Sequence, residues 1–154
     1  MAQFKVVATG GTFDILHQGH MALLEESFSI SEKVIIGLTS DDLAKKKGKT
    51  LWHNYSQRLD ALEQLIKKRF PEKSYVISKL ENDFGPAVIE GDVQALVVSY
   101  ETSSQGDVLN KLRKQKNLPV VKVVIVPLVL AQDGKRISST RIRNSEIDAQ
   151  GNLL

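Results

Sequence analysis

Short apolar runs rich in valine and isoleucine recur along the chain, separated by longer segments with apolar residues at helical spacing. The runs occupy residues 4–10, 33–39, 74–80, 95–100 and 120–127. Such runs are typical of strands that are buried on both faces of a parallel sheet. The intervening segments predict helices over residues 18–30, 55–69, 84–90, 103–117 and 139–148. The alternation predicts a single doubly wound α/β domain over residues 1–154, with a mainly parallel, five-stranded, Rossmann-like sheet.

The helix predicted over residues 55–69 has the clearest start signal. Asn54 is a plausible N-cap, and Gln57 stands three residues later as the second half of a capping box. The leucines that follow keep a helical spacing. This segment is therefore expected to begin at residue 55.

Composition narrows the class of protein only in part. The chain of 154 residues has no cysteine, which excludes a disulfide scaffold, a thiolate metal site and a cysteine nucleophile. A net charge of +3 gives little reason to expect a nucleic-acid partner. The longest apolar segment is interrupted by Lys122 and Pro127 and is too short to span a bilayer. The N-terminus lacks a signal-peptide pattern, so we expect a cytoplasmic protein without a membrane partner.

Candidate chemistry is concentrated in the loops that follow the strands, where ligands bind in open α/β sheets. The first loop reads TGGTFDILHQGH. Its paired glycines, Gly10 and Gly11, would allow a sharp turn and a close approach of ligand to backbone, and Gly19 would leave space for a phosphate. His17 and His20 flank the start of the next helix, where ring N–H groups and the helix dipole could converge on one anion.

Three other interpretations of this loop are weaker. A metal site would need further ligands, and only His53 and scattered carboxylates are available, so no metal-binding residue is predicted. The dinucleotide-binding pattern G-x-G-x-x-G is absent. A purely structural role, with one histidine capping and the other packed, is the default for a lone histidine but less favoured for a pair beside Gly-Gly-Thr.

Two further loops add cations and hydroxyls. The loop after the second strand contains Lys45, Lys46, Lys47 and Lys49, which alone would be a solvated surface and beside a phosphate loop become a candidate clamp. After the fifth strand, the hydroxyls of Ser138, Ser139 and Thr140 and the guanidinium of Arg141 stand at the start of a helix. They could hold another phosphate, although an ordinary helix cap would look the same.

Taken together, HQGH at 17–20 and ISSTRIR at 137–143 resemble the two marks of the HxGH nucleotidyltransferase superfamily. Within it, GGTFDILHQGH, VVSYET, DGKRISSTRIR and the ending GNLL are similar to the phosphopantetheine adenylyltransferases of archaea and eukaryotes. The bacterial enzymes have threonine or a like residue where His17 stands, and an arginine-bearing segment near Tyr100. Acceptor-binding residues therefore cannot be transferred from them.

The resemblance implies a role for each motif. It implies transfer of AMP from ATP to 4′-phosphopantetheine, which gives dephospho-coenzyme A and pyrophosphate. It implies catalytic roles for His17, His20, Lys49 and Arg141. It implies ATP-binding roles for Gly11, Thr12, Phe13, Gly19, Ser138, Ser139 and Thr140. The acceptor is expected at Thr12, Lys47, Tyr100, Glu101 and Thr102, and Mg²⁺ is expected mainly on the ATP phosphates.

Two alternatives stay open at this point. The segment KGKTLWHNYSQR resembles the lysine loop of cytidylyltransferases that act on glycerol 3-phosphate, although Asp133 stands where their arginine precedes the last motif. An alternative of another class is a nucleotide- or RNA-binding module without catalysis, against which the intact histidines and lysines argue. The sequence leaves the oligomeric state open.

Overall fold

The computed structural model describes residues 2–154, except for the side chains at positions 87 and 90. Its five strands form one parallel sheet in the order β3-β2-β1-β4-β5. The strands are β1 (Phe4–Gly11), β2 (Ser31–Thr39), β3 (Ser74–Leu80), β4 (Ala95–Ser99) and β5 (Lys122–Val126). The helices are α1 (Gln18–Ser29), α2 (Asp41–Lys46), α3 (Tyr55–Arg69), α4 (Pro86–Glu90), α5 (Gln105–Gln115) and α6 (Ser139–Arg143). The doubly wound α/β prediction is thus confirmed.

Two hydrophobic cores cover the two faces of the sheet, because successive strand residues point to opposite faces. The first core joins strand residues to α1 and α3, and includes Val7, Val34, Ile36, Val97, Leu24, Phe28, Leu62 and Ile66. The second joins strand residues to α4 and α5, and includes Ala8, Ile35, Leu96, Val98, Val88 and Leu109. Burial on both faces explains why the strands are continuous apolar runs rather than alternating ones.

The strand order reverses between β1 and β4. From β1 the chain moves outward through β2 and β3, then returns to place β4 on the other side of β1. At such a switch point the loops diverge and leave a crevice beyond the carboxyl ends of the strands. This crevice is where the candidate residues gather.

The structure corrects two secondary-structure predictions. Residues 41–46, expected as part of a loop, form the short helix α2, whose N-cap Ser40 accepts a hydrogen bond at Oγ from Leu43 N at 3.0 Å. The last helix was expected to reach residue 148 but ends at Arg143. Ser145 adopts a positive φ of 59°, and the chain folds back so that Ile147 pairs with Leu153.

The remaining boundaries differ by small shifts. Helix α3 begins and ends where predicted, and its capping box is formed by Asn54 and Gln57 with both hydrogen bonds at 2.9 Å. Tyr100, expected at the end of β4, begins a single 3₁₀ turn, Tyr100–Thr102.

Within the part of the chain that the structure describes, no helix is both long enough and apolar enough to cross a membrane.

Candidate functional site

A cleft of about 900 Å³ opens beyond the carboxyl ends of β1 and β4. It collects most of the residues that the sequence singled out. The predicted residues that line it are Gly11, Thr12, Phe13, His17, Gly19, His20, Lys47, Lys49, Glu101, Thr102, Ser138, Ser139 and Thr140. Residues that are far apart in sequence, from β1 to α6, therefore share one surface.

The paired glycines are required for close packing rather than for a turn. Both residues belong to β1, and a Cβ at Gly10 would lie 2.9 Å from the carbonyl oxygen of Gly37 on β2. A Cβ at Gly11 would lie 3.2 Å from the ring of Phe13. The change of direction instead occurs at Phe13, a buried non-glycine residue with a φ of 51°. This strained conformation stands at the mouth of the cleft, where strain is commonly functional.

The two histidines form the start of α1. His17 is the N-cap, and its Nδ1 accepts a hydrogen bond from Gly19 N at 3.0 Å. His20 returns the bond, since its Nδ1 accepts from His17 N at 3.3 Å. The two rings stack with centroids 3.8 Å apart. A Cβ at Gly19 would lie 2.8 Å from the His17 ring, so glycine keeps this stack possible.

Both imidazoles are neutral at pH 7. Burial, with a smaller contribution from the charge of Arg136, lowers the pKa of His17 to about 4. Burial, repulsion from the neighbouring His17 ring when both are protonated, and the charge of Lys49 hold the pKa of His20 well below its usual value. Because each Nδ1 accepts a backbone hydrogen bond, Nε2 is the protonated nitrogen in both rings. The pair therefore offers two N–H donors that an anion could use.

The last loop is fastened to the first. Ser139 Oγ donates to the carbonyl oxygen of Ile15 at 3.0 Å, and Gln18 N donates to the carbonyl oxygen of Ala149 at 3.2 Å. Ser138 is the N-cap of α6, where its Oγ accepts from Arg141 N at 3.1 Å. These hydroxyls cap and dock the helix in addition to lining the cleft, so the structural reading of this motif is also correct.

Two predicted site residues do not line the cleft. Arg141 is bound elsewhere, with its guanidinium paired to Asp133 and Glu146 and donating to the carbonyl oxygen of Arg136 at 2.8 Å. Tyr100 begins the 3₁₀ turn and is 67% exposed. The sequence could not predict that these two residues, unlike their neighbours, stay out of the cleft lining. Side-chain direction in a short turn depends on contacts with other loops.

The lysines of the second loop divide into two groups. Lys49 lines the cleft and donates from Nζ to Thr12 Oγ1 at 3.1 Å. Desolvation and the nearby cations, first among them Lys47, lower its pKa. Lys47 also lines the cleft and pairs with Asp83 at 2.7 Å. Lys45 and Lys46 are exposed on α2 and lie outside the cleft lining. Only two of the four lysines therefore line the cleft.

Asp14 is a site-organising residue that the sequence analysis missed. Its carboxylate, with 1% of its side chain exposed, accepts hydrogen bonds from the backbone N–H groups of Trp52 and His53 at 3.1 and 3.0 Å. It also pairs with Arg143 of α6 at 2.6 Å. One buried side chain therefore joins the first, second and last loops. Its only signal was a carboxylate within the otherwise apolar stretch FDIL.

Arg58 is a second anchor that sequence reasoning did not place in the site. Its fully buried guanidinium donates to the carbonyl oxygens of Thr12 and Thr39 at 2.8 and 2.7 Å, and pairs with Asp41 at 2.8 Å. It fixes the backbone of the residue whose hydroxyl contacts Lys49. The position of Arg58 on the amphipathic helix α3 gave no sign of its burial.

The fit of a metal ion to these residues can be judged from the carboxylates. Among residues 2–154, no three histidine, aspartate or glutamate side chains converge as a metal-binding group. The one deeply buried carboxylate of the cleft, Asp14, is already engaged by Arg143 and two backbone N–H groups. The side chains that the structure describes thus form no cage of their own for Mg²⁺.

Comparison with known proteins agrees with this geometry. Residues 8–145 match the family described as cytidylyltransferase-like. The chain belongs to this family. It is 43% identical over 150 residues to the phosphopantetheine adenylyltransferase of Methanosarcina barkeri, with 96% of this chain and 91% of that protein covered. It is 39% identical over 156 residues to the enzyme of the same name from Pyrococcus horikoshii, with 99% and 96% covered.

A solved structure has a similar fold to this chain. A protein with unknown function from Archaeoglobus fulgidus superposes with a TM-score of 0.70 at 28% identity, covering 78% of this chain and 87% of that one. Within the cytidylyltransferase-like family, the named relatives confirm the resemblance to phosphopantetheine adenylyltransferases of archaeal type. The chain is accordingly a nucleotidyltransferase.

Proposed function

We propose that this protein transfers AMP from ATP to 4′-phosphopantetheine, giving dephospho-coenzyme A and pyrophosphate, a step of coenzyme A biosynthesis. The observation that carries the proposal is the similarity to phosphopantetheine adenylyltransferases at 39 to 43% identity over nearly the full chain. The cleft is consistent with this assignment, because its polar groups include N–H donors, hydroxyls and cations suited to phosphate.

The reaction needs no protein nucleophile. A phosphate monoester is mostly dianionic at pH 7, since its second pKa is about 6, and one of its oxygens can attack the α-phosphorus of ATP directly. A new P–O bond forms as the bond between the α-phosphorus and the bridging oxygen breaks, and the electron pair leaves with pyrophosphate. The enzyme must align these groups and stabilise the charge that develops.

The two histidines and Lys49 supply that stabilisation in the proposal. His17 and His20 present neutral Nε2–H donors at the start of α1, where the helix dipole adds positive potential. Their low pKa values mean that the empty cleft does not hold two imidazolium ions side by side. A bound polyphosphate would raise both pKa values, so a proton can be taken up as negative charge builds on the leaving group.

Lys49 and Thr12 occupy the boundary between the two substrates in this scheme. Lys49 Nζ already contacts Thr12 Oγ1, and a lysine with a lowered pKa and a flexible stem can follow a phosphate during transfer. Mg²⁺ held mainly by the ATP phosphates would neutralise charge in the same region. That ion, and a cytoplasmic location, are predictions of the sequence.

An acceptor and nucleotide screen tests the proposal. Purified protein is incubated with ATP or CTP and with 4′-phosphopantetheine or glycerol 3-phosphate, while pyrophosphate is measured and the product mass determined. We expect pyrophosphate and dephospho-coenzyme A only with ATP and 4′-phosphopantetheine. Turnover only with CTP and glycerol 3-phosphate would replace the proposal by the cytidylyltransferase alternative. No turnover in any arm, with salt-dependent RNA binding, would favour a binding module.

A further inference from the structure

Arg136, which the sequence analysis did not single out, lines the cleft, whereas Arg141, which was expected to bind phosphate there, does not. Arg136 directly precedes Ile137 in the last loop, where its backbone forms a bridge with Leu130 and its carbonyl oxygen accepts from Arg141. The loop therefore presents a guanidinium to the cleft, from the residue before ISST rather than the one after it.

Arg136 stands next to the helix start that bears the histidines. The carbonyl oxygen of the following residue, Ile137, lies 4.0 Å from the Cβ position of Gly19, in the first turn of α1. The positive charge of Arg136 also contributes to the lowered pKa values of His17 and Lys49. An anion bound by His17 and Lys49 would thus lie within the field of this guanidinium.

The present partner of Arg136 is a carboxylate from across the cleft. Its Nε lies 2.5 Å from Oε1 of Glu101, in the 3₁₀ turn after β4. The side chains of Arg136 and Glu101 are 46% and 41% exposed, and exposed ion pairs contribute little to stability. The pair of Arg143 with Asp14 is much more buried, at 13% and 1% exposure. Of these two arginines, only Arg136 can exchange its carboxylate partner at a small cost in free energy.

A polyphosphate is a stronger partner for Arg136 than one carboxylate. A guanidinium binds phosphate through two parallel N–H bonds, and ATP has several times the charge of glutamate. We propose that Arg136 binds the phosphates of ATP that leave as pyrophosphate, and that Glu101 holds this side chain when the cleft is empty. Glu101 is then a positioning residue for Arg136, rather than a ligand of the acceptor.

This inference rests on the proposed function only because it requires a nucleoside triphosphate as substrate. A measurement of nucleotide binding without acceptor therefore tests the role of Arg136 independently of the proposed reaction. The titrated ligand is α,β-methylene-ATP, which cannot transfer AMP, and heat of binding is recorded without any acceptor. The variants are Arg136→Gln, Glu101→Gln and the double variant. Lys135→Gln is the matched control, because Lys135 is an exposed cation one residue away that does not line the cleft.

The substitutions of Arg136 and Glu101 are expected to change the affinity for the ATP analogue in opposite directions. Arg136→Gln weakens binding by roughly tenfold to a hundredfold, the usual effect of losing hydrogen bonds to a charged group. Glu101→Gln tightens binding a few-fold by releasing Arg136, and the double variant binds like Arg136→Gln alone. Lys135→Gln stays within about twofold of wild type. Wild-type binding by Arg136→Gln, or weaker binding by Glu101→Gln, would overturn the inference.

Two further measurements keep the outcomes distinct. Arg136→Lys keeps the positive charge but cannot form two parallel hydrogen bonds, so its loss of affinity for the ATP analogue should lie between those of wild type and Arg136→Gln. It replaces Arg136→Gln in the titration if that variant does not fold. The KM of Glu101→Gln for 4′-phosphopantetheine should stay within about twofold of wild type, and a tenfold rise would assign Glu101 to the acceptor. If wild-type protein binds the ATP analogue but makes no dephospho-coenzyme A, the proposed function fails and the titration still tests Arg136.

Discussion

The cleft has two rims of very different construction. The closed rim comprises residues 11–20, 47–53 and 136–143, and the open rim comprises residues 81–86 and 99–105. The closed rim is held by buried groups, including Asp14 with its three hydrogen-bond donors and Arg58 with the carbonyl oxygen of Thr12. In the open rim, neither Ser99 nor Ser104 makes a side-chain capping bond, and Tyr100 is 67% exposed.

The difference between the rims matches two requirements of catalysis, oriented groups for the reaction and access for the acceptor. Charge stabilisation during phosphoryl transfer requires donors that are already oriented, and buried hydrogen bonds hold them so. An acceptor must enter and its product must leave, and a rim with few fixed contacts permits both. The ion pairs Lys47–Asp83 and Arg136–Glu101 link the rims, and each consists of partly exposed side chains. The following predictions test whether rigidity is confined to the closed rim.

The largest effect is expected for Asp14→Ala. The substitution leaves Arg143 and two backbone N–H groups without their buried acceptor, and breaking a buried ion pair from one side typically costs about 3–5 kcal/mol. The free energy of unfolding, from denaturant titration, should fall by that order. A loss below about 1 kcal/mol would show that the three loops are held together without Asp14.

The next effect concerns turnover rather than stability. His20→Ala should lower kcat by about 10² to 10³, the usual result of removing one donor aimed at developing charge. Steady-state pyrophosphate release measures it, and circular dichroism checks that the fold is kept. Lys45→Ala, an exposed change on α2, is the control and should retain wild-type turnover. A kcat of His20→Ala close to that of wild type would show that His20 does not stabilise the transition state.

A pH effect of intermediate size follows from His17. Its pKa is about 4 in the folded chain and about 6.5 when unfolded, so the unfolded state binds the extra proton between these values. Stability is therefore lost as the pH falls from 6.5 to 4, by roughly 2–3 kcal/mol from this group. In His17→Asn, which keeps an N-cap acceptor, unfolding free energy should depend less on pH in that window. Equal pH dependence in both proteins would contradict the assignment.

The smallest effect is expected on the open rim. Gln105 lines the cleft, and its Oε1 is buried without a hydrogen-bond partner among residues 2–154. Gln105→Leu should leave the unfolding free energy within about 1 kcal/mol of wild type, or raise it, because an unsatisfied buried oxygen is removed. Thermal and denaturant unfolding measure the change. A loss like that of Asp14→Ala would mean that the open rim is as constrained as the closed one.

Local patterns predicted some elements well and others poorly. The strands follow from runs of valine and isoleucine, and α3 follows from its capping box and leucine spacing, because both signals lie within one segment. Helix α2 was missed because its 6 residues are too few for a periodic signal among charged neighbours. Helix α6 was predicted too long because its end depends on the pairing of Ile147 with Leu153, a contact outside the helix.

The sequence by itself determined that one parallel sheet would bring its loops together, and that the first and last loops would contain donors and hydroxyls of the kind that suit a phosphate. Those properties depend on strand burial and on motifs whose residues are adjacent in the chain. Only the tertiary structure decided that Asp14 joins three loops, that Arg58 supports Thr12, and that Arg136 rather than Arg141 faces the cleft. Each of these depends on which distant carbonyl or carboxylate lies within hydrogen-bond reach, and residue order alone does not specify such distances.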